Sequence, residues 1–409
     1  MADLSPSRPQ IYDWSHVPEE PSFTTRMVLP FFSTRYKTDM TAHCLLRGLT
    51  ERVVPLDEQD VAASDTAQLL QRHPELARAP KLKPTFNRAE LFSLYHARFR
   101  RAAPLLFHTL RSDCYRLCES HYQQQFAQSL RPVDGLGFSG SLFFYTHDKS
   151  LIIKSVGRQF EYQFLYEKML DSFASYCSTT DSQGQPTLLC QITDVLASFD
   201  YRLGDWLGIS PSHYVVMANV LEGLDTARGC RKWDLKPQSF FEPTRDLVPD
   251  PVKTEQAKSG LADELDDEIV LTRREKSLLM QQTERDTAFL QDMKTIDYSL
   301  LLGRYPVDMF HPPHQDGGER DPMALPAEGT TDFVRGIRSA DGKWVYKMVL
   351  LDFFWNTEQL MAKVVKAAGK LLPEQTVTTE PERYRKEFLR RVSPFSSPPS
   401  PPPFFFLWS

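Results

Sequence analysis

The sequence predicts an α+β fold, because hairpin patterns and helical patterns occupy separate blocks of the chain. Two hairpins and three helical stretches carry this expectation. SLFFYT, the polar turn His147–Ser150 and LIIKSV make a first hairpin over residues 141–156. FVRGIRS, the turn ADGK and WVYKMVLLDFF make a second, and Asp341-Gly342 is a dipeptide that tight hairpin turns favour. Helical spacing of apolar residues appears between 88 and 128, from 160 to 173 and from 273 to 294.

From the N-terminus, residues 1–87 are rich in Pro, Ser and charge and are expected to be mostly irregular, with one short helical pattern from Asp60 to Leu76. Leu91, Leu94, Phe99, Leu105, Leu106, Leu110, Tyr115 and Leu117 then fall at roughly helical spacing. After the first hairpin, Phe160–Phe173 reads as a helix, and TLLCQITDVLASF and HYVVMANVL read as strands. Residues 240–270 form a polar interruption with prolines at 243, 249 and 251 and an acidic run, Asp263–Glu268, expected to be a solvated loop. Residues 311–330 are a loop by their Pro and Gly content. The tail 393–409, with six prolines between 394 and 403, is expected to be disordered.

Composition narrows the function classes. Of the 409 residues, 41% are apolar, enough for a substantial core, and the net charge of −5 argues against a nucleic-acid binder. No stretch approaches the roughly 20 apolar residues of a membrane-spanning helix. The start, MADLSPSRPQ, lacks the apolar segment of a secretory signal. Cys114 and Cys118 lie one helical turn apart, but no second pair sits at metal-ligand spacing. Reduced thiols in a cytoplasmic protein are the expectation.

Four groups of residues carry chemistry. Gly137, Phe138, Ser139, Gly140 and Ser141 stand at the mouth of the first hairpin. Such a loop either lets successive N–H groups cradle phosphate oxygens or is a simple glycine turn. Lys154 lies on the following strand, flanked by Ile152, Ile153 and Val156. There it reaches nucleotide phosphates as a point charge or faces solvent. Asp234-Leu235-Lys236 is followed by Ile296-Asp297-Tyr298, where a carboxylate in an apolar string must either have a partner or face a cleft. Asp352 ends the apolar run MVLLD, as a magnesium ligand or as a strand-ending cap. Their order suits phosphoryl transfer, which needs mainly positioning and charge neutralisation. Neither H-R-D-x-x-x-x-N nor D-F-G occurs, which argues against an ordinary protein kinase.

GFSGSLFF, LIIK, WDLK, IDYSLLLG and LLD together resemble, in order, the signature segments of phosphatidylinositol-phosphate kinases over residues 88–392. The resemblance implies an atypical two-lobed kinase fold of the SAICAR synthase-like type, with an antiparallel sheet in each lobe. The N-lobe would span about 88–220 and the C-lobe about 221–392. It implies ATP and Mg2+ as cofactors and a phosphoinositide in an anionic membrane surface as substrate; no protein partner is indicated. Gly137, Ser139, Gly140 and Ser141 would cover the ATP phosphates, and Lys154 would contact the α- and β-phosphates. The hinge Met217–Val220, with Met217 and Asn219, would meet adenine. Asp234 and Lys236 would lie in a phosphate-transfer loop, Asp297 would serve the catalytic centre, and Asp352 would hold magnesium.

The segment FFWNTEQLMAKVVKAAGKLLPEQTVTTEPERYRKEF is similar to the end of the type III, PIKfyve-like kinases. That likeness implies a phosphatidylinositol 3-phosphate 5-kinase, peripheral on endosomal or vacuolar membranes; a phosphatidylinositol 4-phosphate 5-kinase is the alternative. Two departures from the family pattern suggest a third reading, a pseudokinase that binds a membrane or a partner. Pro237-Gln238 replace a Gly-Ser after the D-L-K lysine, and Thr357-Glu358 replace a paired lysine. Arg335–Arg391 holds twelve Lys or Arg against seven Asp or Glu. Lys363, Lys366 and Lys370 are therefore the expected membrane-facing cations, unless this is an ordinary mixed-charge surface.

Overall fold

The computed structural model describes residues 34–50, 99–133, 141–198, 211, 213–237, 265–312, 321, 323–327, 329, 332–358 and 380–393. The Asp60–Leu76 pattern, Gly137, Ser139, Gly140, Lys363, Lys366, Lys370, the tail from 394 and most of the 240–270 and 311–330 loops lie outside the described residues.

Among the described residues, two antiparallel sheets occupy separate regions, as expected. The first has six strands: β1 (Phe99–Arg101), β2 (Arg131–Val133), β3 (Phe143–Tyr145), β4 (Leu151–Ser155), β5 (Ile192–Ser198) and β6 (His213–Ala218), in the order β1-β5-β6-β4-β3-β2. Strand β5 (ITDVLAS) is buried along its whole length, which its β-branched residues tolerate. The second sheet holds β7 (Arg231–Leu235), β9 (Ser299–Pro306), β10 (Ile337–Arg338) and β11 (Trp344–Leu351), in the order β10-β11-β9-β7. A separate short pair joins β8 (Thr295–Ile296) to β12 (Trp355–Asn356). Both expected hairpins are present, and Gly342 supplies the positive φ, 71°, of the second turn.

The structure differs from the sequence reading in four places. Within the stretch expected to be mostly irregular, helix α1 (Thr34–Thr50) packs on the first sheet. Its Ala42, Cys44, Leu45 and Leu49 share a core with Phe99, Phe144, Ile153 and Tyr214. Second, Phe99 belongs to a strand. Among the described residues, the helical spacing around it is realised in α2 (Pro104–Thr109), with a π-turn after it, and in α3 (Glu119–Gln124). Third, α4 (Gln159–Phe164) runs through a π-turn, Leu165–Met169, into α5 (Leu170–Ser182), well past Phe173. The added turns bury Ala174, Cys177 and Thr180, which are too small or polar to mark a helical stripe.

Fourth, part of the acidic run is anchored. Arg231 donates to Asp266 at 2.6 Å and to Asp267 at 3.1 Å, Arg304 also pairs with Asp267, and Trp233 Nε1 donates to Asp266 at 2.9 Å. The Arg304 guanidinium lies 4.0 Å from the Trp344 ring centroid. This latch leads into α6 (Arg273–Asp292), which opens on a capping box: Glu275 N–H donates to Thr272 Oγ1 at 3.2 Å, and Thr272 N–H to Glu275 at 2.8 Å. Helix α7 (Pro381–Val392), with Pro at its first turn, packs on α6.

All six cysteines are free thiols. Among the described residues no helix is long and apolar enough to cross a membrane.

Candidate active site

The site is built around an interrupted ladder. Strands β9 and β11 pair antiparallel down to Ser299 opposite Leu351, and pairing resumes with Ile296 opposite Trp355. Between these points one strand carries Asp297 and Tyr298, and the other carries Asp352, Phe353 and Phe354. Asp297 and Asp352 both adopt left-handed backbone, each at φ 65°. That conformation costs a non-glycine residue about 1 kcal/mol or more and persists where the surroundings over-determine it. The break brings both carboxylates to one place because their strands are already paired.

Two lysines meet them. Lys154 comes from β4 in the first sheet, where its Nζ also lies 5.6 Å from the Phe143 ring centroid, and it donates to Asp352 Oδ1. Lys236 comes from the residue after β7 and donates to the Asp297 carboxylate at 3.1 Å and to its backbone carbonyl at 3.0 Å. Asp234 sits inside β7, opposite Leu301. The expected loop placement of Asp234 is therefore corrected to a strand, and only Lys236 stands past the strand end.

The charges compensate one another. Burial pushes the Lys236 ammonium down, but Asp297, Asp352 and Asp234 together hold it above its ordinary value. Burial pushes Asp352 up, yet Lys154 and Lys236 hold it below the usual carboxylate range. Beside them, burial and the Asp352 charge raise the Cys190 thiol to about 12, so it stays a neutral thiol.

Of the other expected site residues, Ser141 is half-buried just before β3. Met217 is buried in β6, paired with Ile152 and Ile192. The Asn219 N–H donates to Ser150 O at 2.8 Å and its side-chain amide to Lys149 O at 2.8 Å, while Leu221 N–H donates to its carbonyl oxygen at 3.0 Å. Asn219 therefore fastens the end of β6 to the first hairpin turn. Tyr305, from β9, donates to Val220 O at 3.3 Å and ties this crossover to the second sheet.

The sequence reading missed Glu161, in the first turn of α4. Burial raises its carboxyl, Arg158 and Lys154 pull it back, and Asp352 pushes it further up, so it lies within electrostatic reach of the cluster. The only signal was an acid seven residues after Lys154 at a helix start, which is common for macrodipole reasons alone.

A family profile described as phosphatidylinositol-4-phosphate 5-kinase matches residues 124–394, more than half of the chain. The chain belongs to the phosphatidylinositol-4-phosphate 5-kinase family. It is a lipid kinase of the phosphatidylinositol-phosphate class, and the family implies ATP as phosphate donor. The phosphatidylinositol 5-phosphate 4-kinase type-2 gamma of Danio rerio is 23% identical over 353 residues, covering 75% of this chain and 79% of that protein. The protein of the same name from Pongo abelii is 25% identical, covering 74% and 77%. The phosphatidylinositol 4-phosphate 5-kinase type-1 sktl of Drosophila melanogaster is 29% identical over 213 residues, 52% of this chain and 25% of that protein. These relatives are of type 2 and type 1.

Proposed function

We propose that this family member transfers the γ-phosphate of ATP to a phosphatidylinositol monophosphate at the Lys154–Asp352 and Lys236–Asp297 pairs. The observation that carries the reading is the convergence of two lysines and two carboxylates, from both sheets, on one ladder break. In this reading Lys154 neutralises the α- and β-phosphates and Lys236 the γ-phosphate. Asp297 accepts the proton of the attacking headgroup hydroxyl, whose oxygen bonds to the γ-phosphorus as the bond to ADP breaks. The glycine loop Gly137, Ser139, Gly140 and Ser141 would cover the phosphates.

Mg2+ suits the donor set. Among the described residues no group of three metal-ligating side chains assembles, and Mg2+ typically takes one or two carboxylates and completes its shell with phosphate oxygens and water. Asp352, kept anionic, would hold it, and it would neutralise charge on the transferred group.

For the headgroup, the C-terminal segment supports phosphatidylinositol 3-phosphate with transfer to the 5-position, at an endosomal or vacuolar membrane. The relatives are named for action on the 5-phosphate and the 4-phosphate, which favours those two headgroups. Labelled ATP offered with each of the three monophosphates, followed by product chromatography, identifies the substrate and the hydroxyl. One observation favours a second reading, binding without turnover: Pro237 is buried directly after Lys236 and has no N–H to offer a phosphate. Absence of product on all three lipids, with a nucleotide-dependent rise in Tm, would establish that reading instead.

A further inference from the structure

We propose that Tyr384 is a positioning residue for Asp297, acting through the backbone carbonyl of Tyr298; as a claim about turnover this rests on the reading of Asp297 given above.

Asp297 holds a left-handed conformation at the ladder break, so something must fix the peptides on either side of it. The side before it is held by the sheet and its helix. Thr295 Oγ1 donates to Leu290 O at 2.8 Å, Asn356 Nδ2 to Met293 O at 2.8 Å, and Thr357 N–H to Lys294 O at 2.9 Å. The Asp297 carbonyl is held by Lys236. The next carbonyl, that of Tyr298, falls in the break, where neither strand pair reaches. It accepts from Tyr384 Oη at 2.6 Å. Tyr298 and Tyr384 are fully buried, so water is not at hand as a substitute donor.

The phenol is itself well fixed. The Tyr298 ring meets those of Tyr384 and Phe388 edge-on, with centroids 4.8 and 5.0 Å away. Arg385 locks α7 onto α6 through Glu284 O at 2.9 Å and Thr287 Oγ1 at 3.2 Å. A helix about ninety residues downstream thus places one hydroxyl on the peptide that follows the reacting carboxylate. Removing that hydroxyl frees the peptide to rotate, and the Asp297 carboxylate then drifts from Lys236.

Tyr384→Phe removes the hydroxyl and keeps the ring. Phe388→Leu, from the same helix and against the same Tyr298 ring, removes packing but no hydrogen bond. Three quantities are read on the full chain: hydrogen–deuterium exchange of segment 295–301, Tm, and kcat with KM for ATP. Tyr384→Phe is expected to speed exchange in 298–300 about tenfold and to lower kcat about 10- to 100-fold, as a misplaced reacting group does, with KM for ATP within about twofold. Phe388→Leu is expected to lower Tm while leaving kcat per folded molecule within about twofold. Wild-type exchange and kcat in Tyr384→Phe would overturn the proposal. So would equal losses in both variants tracking their Tm, since packing alone would then explain them. If the wild-type chain turns over none of the three lipids, the proposed activity fails, and the exchange comparison alone decides whether Tyr384 holds the Asp297 turn.

Discussion

Individual side chains decide whether this site carries out chemistry. Asp352 is held anionic by Lys154 and Lys236, which come from different sheets. Asp352→Asn keeps the shape but removes the countercharge to both, and lipid phosphorylation should fall about 10²–10³-fold, as when preorganised charge is lost. The variant also has a pH signature. Because the folded carboxyl ionises below its unfolded value, its stabilisation is present above about pH 4 and fades as pH falls through the folded value. The Tm advantage of wild type over Asp352→Asn should therefore be largest near neutrality and shrink toward pH 3. A constant gap would mean that the carboxylate is not what stabilises the fold there. Lys154→Met retains an apolar stem and should lower kcat/KM for ATP while leaving vesicle binding unchanged. At position 237 the expected gain is the reverse: Pro237→Gly with Gln238→Ser restores an N–H beside Lys236 and should raise turnover, measured with the same lipid panel.

Secondary-structure elements were unequally legible. The hairpins announced themselves through apolar runs on either side of turn residues, and α6 as a helical stretch from 273 to 294. Lys154 and Asp352 were legible because each stands as a lone charge in an apolar strand. Helix α1 was not, because its buried apolar side chains among the described residues are Ala42, Cys44, Leu45 and Leu49, too sparse to outweigh a polar neighbourhood. Strand β2, with sequence RPV, is short and carries a proline that suits only an edge. Neither the left-handed aspartates nor the contact between Tyr384 and Tyr298 leaves a trace in spacing, since both depend on which strands pair. The missed helix has a practical consequence. A chain starting at 88, where the resemblance begins, uncovers Phe99, Phe144 and Tyr214, whereas one starting at 34 does not. The longer version should be soluble and melt cooperatively, and the shorter should aggregate or melt several degrees lower in a thermal scan. Gly48→Val tests the same contact more finely. A Cβ there comes within 2.8 Å of Phe99 Cβ, so overpacking should cost about 1–3 kcal/mol in denaturant titration.

At the scale of the whole molecule, charge and connectivity govern access to lipid. The net charge of −5 means that docking on an anionic leaflet must rest on a local surface, for which Lys363, Lys366 and Lys370 are the proposed cations. Sedimentation with anionic vesicles should weaken steadily as salt rises through the range where screening shortens to about 8 Å. Reversing the three lysines to Glu should abolish sedimentation and spare nucleotide binding; salt-independent binding would move the membrane face elsewhere. The two sheets are joined at more than one place. Besides the crossover after β6, the segment before β5 bonds directly to β11: Leu350 N–H donates to Leu188 O at 2.6 Å and Cys190 N–H to Leu350 O at 2.9 Å. The first sheet therefore cannot slide along β11 without breaking main-chain bonds. Asp352 lies two residues beyond Leu350, directly after the strand that these bonds hold. Lys154 reaches Asp352 from the first sheet, so the same bonds also set the distance across which this ion pair forms, and moving one sheet against the other would part it.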